Sequence, residues 1–169
     1  MGQTIFGTSK RRANLARLVA AGLRWDDVDN DLVASRNWRL SGNGYAQTGG
    51  GDTRVEERYL HRQIAEASGL EIDGLQVDHI NRDKLDNRRE NLRPATGSQN
   101  KANKGPRQGK AFKGTDLLPS GRFRAQGGLN RKAVHIGVFD TEIEAARAYD
   151  AWAIIHHGEF AWLNFEVAA

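Results

Sequence analysis

The chain contains no cysteine. That excludes a disulfide framework, thiolate zinc fingers and a cysteine nucleophile, so any metal must sit on oxygen or imidazole ligands. Apolar residues are scarce: they make up 38% of 169 residues, with a mean hydropathy of −0.66. A chain of this length that is lean in core-forming side chains fits two small polar modules better than one large core. No apolar run is long enough to span a membrane. The stretch Leu15–Leu23 follows Lys10, Arg11 and Arg12, but it carries Arg17 and lacks a clear cleavage site. It therefore reads as a short amphipathic helix rather than a signal peptide, and the expected location is the cytoplasm. There is neither an internal repeat nor a low-complexity segment.

Net charge is only +4, but it is unevenly spread. Residues 1–81 carry 10 basic and 11 acidic side chains, residues 82–132 carry 14 and 4, and residues 133–169 carry 1 and 6. A positive block in the middle third of a folded chain is the footprint of a polyanion such as nucleic acid.

Ser9 can cap a helix that runs through Leu15, Leu18 and Val19 and stops at Gly22. Asp26–Asp31 reads as an acidic connection. Asn37–Leu40 and Tyr45–Gln47 flank Ser41-Gly42-Asn43-Gly44, a hairpin turn pattern, and Gly49-Gly50-Gly51-Asp52 reads as a flexible tip. Arg58–His61 is expected to be a short strand, followed by a helix ending near Gly69. Strands are expected at Leu75–Ile80 and Leu92–Thr96, with a polar loop between them and a helix starting near Ser98. Lys104–Lys110, KGPRQGK, is a basic linker with glycine and proline. The expected organisation is thus 1–57 as a helix and hairpin region, 58–104 as a first core, 105–111 as the linker, and 112–165 as a second module.

The segment Val77–Lys104, VDHINRDKLDNRRENLRPATGSQNKANK, carries the chemistry. Hydrolysis of a phosphodiester needs a base that works near neutral pH, and it needs charge neutralised on the phosphate and the leaving oxygen. An imidazole suits the first task, because its ordinary pKa is about 6.5. A hard divalent cation on oxygen ligands suits the second. Asp78 offers a carboxylate beside His79. On a strand these neighbours point to opposite faces, so the pair must sit where the strand ends or bends, with Asp78 facing a metal and His79 a water. Asn100 can supply a second oxygen and leave the remaining positions to water and phosphate. Asn81, Asn87 and Asn103 read as turn formers.

These residues in this order resemble the HNH endonuclease family, in its bacteriophage and intron-encoded, homing-type branch. The resemblance covers about residues 58–104, with Asp-His at the start, "DN-R-x-x-NLR" in the middle and "S-Q-N-x-x-N" at the end. It implies an N-terminal ββα-metal module. It also implies that Asp78 and Asn100 are metal ligands, that His79 is the general base, and that Asn91 braces the loop and orients the histidine. The family name implies histidine where this chain has Asn100. With no thiolate and an amide oxygen there, magnesium or manganese is expected rather than zinc. Tyr59-Leu60-His61-Arg62 also resembles the branch, with His61 structural. Arg62, Arg93, Lys101 and Lys104 are the expected DNA contacts of this half.

Residues 112–165 show three short strands, with turns at Pro119-Ser120-Gly121 and Asn130-Arg131, and then one helix. Thr141 and Glu144 form a capping box at the helix start. Ala145, Ala148, Tyr149, Trp152 and Ile155 recur at helical spacing, and Gly158 ends the helix. Arg122, Arg124 and Gln126 share one face of the middle strand, while Phe123 and Ala125 share the other. GVFDTEIEAARAY at Gly137–Tyr149 and the ending Leu163-Asn164-Phe165 resemble the APETALA/ethylene-response-factor DNA-binding domain. That implies a three-stranded antiparallel sheet with one packed helix, and DNA contacts at Lys113, Arg122, Gln126 and His135; the shared strand face adds Arg124 as an expected contact. Asp116, Leu118, Gly128 and Ala133 stand where the plant domains have arginine, and Ser120 and His135 where they have tryptophan. DNA binding is therefore expected without the plant target sequence. His156-His157 reads as a helix end, where imidazoles suit the dipole.

The expectation is an α+β, phage-encoded, metal-dependent DNA endonuclease that nicks double-stranded DNA at a preferred site. It is expected to be a monomer with no small-molecule cofactor. A DNA-binding regulator with an inactive nuclease site, and a non-specific nuclease, stay open as alternatives.

Overall fold

The computed structural model describes residues 9–49 and 58–165. The cap expected from the Ser9 side chain, and the glycine tip beyond Gly49, lie outside the described residues. The chain divides into two compact units, Met1–Ala95 and Thr96–Ala169, and both helix and sheet occur in each.

In the first unit, helix α1 (Ser9–Ala20) stops at Gly22, whose φ of 103° is a left-handed conformation that glycine adopts without strain. Strands β1 (Arg39–Leu40), β2 (Ala46–Thr48) and β3 (Arg58–Tyr59) form an antiparallel sheet in that order. The β1–β2 turn is the expected one: Ser41 Oγ accepts a hydrogen bond from Tyr45 N–H at 2.9 Å, and Gly44 has a φ of 84°. Helix α3 (Leu60–Ala67) follows, and β4 (Gln76–His79) pairs antiparallel with β5 (Leu92–Ala95). Leu18, Val33, Trp38, Leu60, Ile64, Val77 and Leu92 close one core among these elements. Trp38 satisfies its indole N–H there on the Val33 carbonyl at 2.8 Å.

Two expectations change. Asp26–Asp31 is not an irregular connection: Asp27–Asp29 is a 3-10 turn, and Asn30–Ala34 is a short helix, α2. Asp29 is buried because it receives a guanidinium from far along the chain, described below. The strand expected over Arg58–His61 ends at Tyr59. Leu60 and Ile64, one helical turn apart, are both fully buried, so His61 and Arg62 ride on α3.

The second unit opens with helix α4 (Gly97–Asn103), which is capped by a reciprocal Thr96–Gln99 box. Strands β6 (Thr115–Leu117), β7 (Phe123–Leu129) and β8 (Lys132–Phe139) form an antiparallel sheet in sequence order, and helix α5 (Glu142–His157) packs on it. The tight β7–β8 turn puts Asn130 and Arg131 at φ values of 49° and 64°, as a two-residue hairpin requires. Thr141 and Glu144 make the expected capping box. The helix approaches closely because two sheet-side glycines make room. A Cβ on Gly127 would lie 2.2 Å from the Trp152 ring, and one on Gly114 would lie 2.0 Å from Tyr149.

Ile155 does not join the packing face; it is 78% exposed. Successive i+3 steps fall 60° short of a full turn each, so the series from Ala145 drifts off the sheet by Ile155. Ala146, Tyr149 and Ala153 fill the face instead. The ending Leu163-Asn164-Phe165 is a latch. The Asp150 carboxylate accepts from Asn164 N–H, the Asn164 amide and Phe165 N–H, while the Asn164 side chain also bonds both backbone groups of Lys113.

The division of the chain falls before α4 rather than in 105–111. The Lys113 ammonium donates to the carbonyls of Lys101, Ala102 and Lys104, and Trp162 N–H donates to Ala102 O at 3.1 Å. Among the described residues no helix is long and apolar enough to cross a membrane.

Candidate active site

Asp78 and His79 are the last two residues of β4, and both are buried. In the β4–β5 register Asp78 lies directly opposite Arg93, and His79 opposite Leu92. Side chains of such a pair share a face. Arg93 accordingly donates from Nε and Nη2 to one Asp78 oxygen, at 3.0 and 2.9 Å. Arg93, expected on DNA, therefore sits in an ion pair with the expected metal ligand.

His79 points to the other face. Its Nε2 lies 3.4 Å from Asn87 Oδ1, and its ring contacts His61 at a centroid distance of 5.1 Å and Tyr45 at 5.9 Å. Asn87 donates its amide to the Leu85 carbonyl at 3.0 Å, which turns Oδ1 toward the histidine. Burial pushes the His79 imidazole below the ordinary histidine range, against the Asn87 hydrogen bond and the charges of Asp78, Asp83 and Asp86. The ring is therefore neutral near pH 7 and able to take up a proton. His61 is pushed further, down to about 3, by burial first and then by the neighbouring His79 and Arg62.

Between the strands, residues 80–91 form a loop knitted by side chains. Asn91 accepts from Asn81 N–H at 2.9 Å and donates to the Asp86 carbonyl at 2.7 Å. Asn81 donates to Asp86 Oδ2 at 2.8 Å and accepts from Asp83 N–H at 2.9 Å. Arg88 clamps both oxygens of the fully buried Asp86 and holds its carboxyl down at about 2, with Asn81 and Arg24 assisting. The loop is also clasped from outside. Arg24 exchanges backbone hydrogen bonds with Leu85 and Asn87, both 2.8 Å, and its guanidinium reaches Asp83 at 2.6 Å. Asp26 accepts from Arg89 N–H at 2.8 Å, and Asp29 takes the Arg89 guanidinium through two bonds of 2.9 and 2.7 Å.

A family model described as HNH endonuclease matches residues 58–102. An uncharacterized HNH endonuclease of Acanthamoeba polyphaga mimivirus is 32% identical over 133 residues, which cover 79% of this chain and 69% of that protein. The chain belongs to the HNH endonuclease family. A stretch of 60 residues, 34% of the chain, is 48% identical to APETALA2-like protein 2 of Oryza sativa, in both subspecies indica and japonica. The chain spans only 14% of the length of these rice relatives. No solved structure matches it.

In this HNH chain the orienting contact on His79 comes from Asn87, whereas the hydrogen bonds of Asn91 go to the loop. Asn87 stands in a polar loop and reads as a turn former; its burial is the feature that distinguishes it. Arg62 donates to the Leu75 carbonyl at 2.9 Å, just ahead of β4. Lys101 and Lys104 are exposed, and Asn100 lies on α4, in the second unit. Lys113 caps α4 with its ammonium rather than facing outward as a DNA contact would. Arg122 pairs with Asp140 at 2.8 Å, Arg124 and Gln126 both donate to Asp116, and His135 is exposed opposite Gln126.

Among the described residues no three His, Asp or Glu side chains are grouped to cage a metal. The first unit offers the Asp78 carboxylate and the second the Asn100 amide, oxygen donors of the kind that hard cations take.

Proposed function

We propose that this protein is a divalent-metal-dependent DNA endonuclease that hydrolyses phosphodiester bonds and nicks duplex DNA at a preferred site, in the manner of a homing enzyme. The observation that carries this reading is the buried His79 at the end of β4, next to Asp78 in sequence and facing Asn87.

His79 acts as the general base. With Asn87 Oδ1 as acceptor, the favoured tautomer carries its proton on Nε2, and Nδ1 takes the proton from the attacking water. Asn91 keeps the loop closed, so that Asn87 stays in place. Asp78 and Asn100 are the proposed ligands of a magnesium or manganese ion. Such an ion, when bound, supplies charge neutralisation at the scissile phosphate and the leaving 3′ oxygen. Arg93 balances the Asp78 carboxylate when that ion is away. Lys101, Lys104 and the following basic segment track the DNA backbone, and the sheet face of the second unit selects the site.

The test is relaxation of supercoiled plasmid. Open-circular product in magnesium or manganese, abolished by a chelator, is expected. Absence of chelator-sensitive nicking in any divalent metal, with DNA binding intact, would instead make the protein a DNA-binding regulator.

A further inference from the structure

The outer face of the C-terminal sheet carries an unusual charge arrangement. Ala125 and Gly127 turn toward α5, as the complete burial of Ala125 and the tight fit of Gly127 against Trp152 show. Asp116, directly opposite Arg124 in the β6–β7 register, therefore shares the opposite face with Arg124, and Gln126 follows after a bulge. One Asp116 oxygen accepts from Arg124 Nη2 at 3.2 Å and from Gln126 Nε2, while the other lies 3.5 Å from Lys110 Nζ. Arg124 Nε is buried without a partner. A single carboxylate thus gathers two hydrogen-bond donors and a lysine ammonium on the face that would meet DNA.

Ion pairs this exposed contribute little to stability. What the carboxylate changes is what the face can bind. Free arginine and glutamine side chains bond the edges of guanine and adenine, and a free cation attracts any phosphate. Held by Asp116, Arg124 and Gln126 lose reach and the face loses one unit of net positive charge. A carboxylate is itself an acceptor, and the donors that the major groove offers it are the exocyclic amino groups of cytosine and adenine.

We infer that Asp116 is a specificity-determining residue of the second unit. It suppresses sequence-independent binding, and it requires a base with an exocyclic amino group, cytosine or adenine, at the position it faces in the target duplex. This rests on the proposal above that the sheet contacts DNA.

The experiment uses the full chain and two measurements: affinity for random-sequence duplex across a salt series, and selection of preferred sites from a randomised duplex pool. Asp116→Asn keeps size and one acceptor but removes the charge. It is expected to bind random duplex about tenfold more tightly at low salt, with the slope of log affinity against log salt steeper by about 1. It should also lose the preference for cytosine or adenine at one position of the selected site. Unchanged affinity, slope and site preference in Asp116→Asn would overturn the role of Asp116. Arg124→Glu, which sets a second carboxylate on the same face, separates the two levels. A loss of tenfold or more in affinity keeps the sheet as the DNA-contacting face, so that an unaltered Asp116→Asn then counts against Asp116 alone. Unaltered binding by Arg124→Glu removes the sheet from the interface, and Asp116 with it.

Discussion

Arg93 places two of its nitrogens, 3.0 and 2.9 Å away, on the same oxygen of Asp78. Both side chains are buried, so neither charge has water to fall back on. Removing one member of such a pair typically costs about 3–5 kcal/mol. Arg93→Met should destabilise the metal-free protein by roughly this amount. On the proposal that Asp78 is a metal ligand, a bound cation would replace the lost guanidinium, so magnesium should raise the melting temperature of Arg93→Met more than that of the wild type. Thermal melts with and without the metal check this; equal metal effects on the two proteins would contradict it.

The clasp on the loop makes a second prediction. Asp29 is buried and Arg89 half-exposed, so Asp29→Ala should cost about 2 kcal/mol, between the exposed and fully buried cases. Its larger effect should be on turnover, since Arg24, Asp26 and Asp29 hold the loop that carries Asn87. The rate of nicking at saturating DNA should fall by about tenfold or more with DNA affinity unchanged. Single-turnover kinetics and gel shifts on the same preparation measure both.

Acid should loosen the first unit through His61. Its pKa is about 3 in the fold against about 6.5 in an unfolded chain. A histidine depressed in this way contributes stability that is complete above the unfolded value and is lost as pH falls toward the folded one. From pH 7 to pH 5 the loss is about 2 kcal/mol. The groups facing it are Tyr45, Tyr59, His79 and the adjoining Arg62. Denaturant melts at the two pH values should show that His61→Gln, though less stable at pH 7, loses less between them.

Gly127→Ala tests the helix–sheet contact of the second unit. With no space beside Trp152, the added methyl should cost about 1–3 kcal/mol. It should speed hydrogen exchange along β7 while leaving exchange in β4 unchanged.

How far the sequence could be read depended on the range of the interactions. Asp78 and His79 stood out because adjacent residues in a strand carry their chemistry in their order. The capping box at Thr141 and Glu144 and the turn at Asn130-Arg131 are likewise local, and the structure has both. Asn87 was hidden because a polar loop asparagine looks the same whether its amide serves the backbone or a histidine eight positions away. Asp26–Asp31 reads as a mere connection because the partner of Asp29, Arg89, lies 60 residues on. Lys113 is expected on DNA from the resemblance, and nothing in its sequence neighbours signals that its ammonium caps the end of α4. In each case the deciding partner is brought close only by the fold.

The proposed role of His79, taking the proton from the attacking water, is tested by single-turnover nicking of supercoiled plasmid by His79→Ala in magnesium, with DNA affinity measured alongside. The expected result is a rate lower by about 10²–10⁴, with affinity within a few-fold of the wild type. Nicking at the wild-type rate by His79→Ala would contradict it.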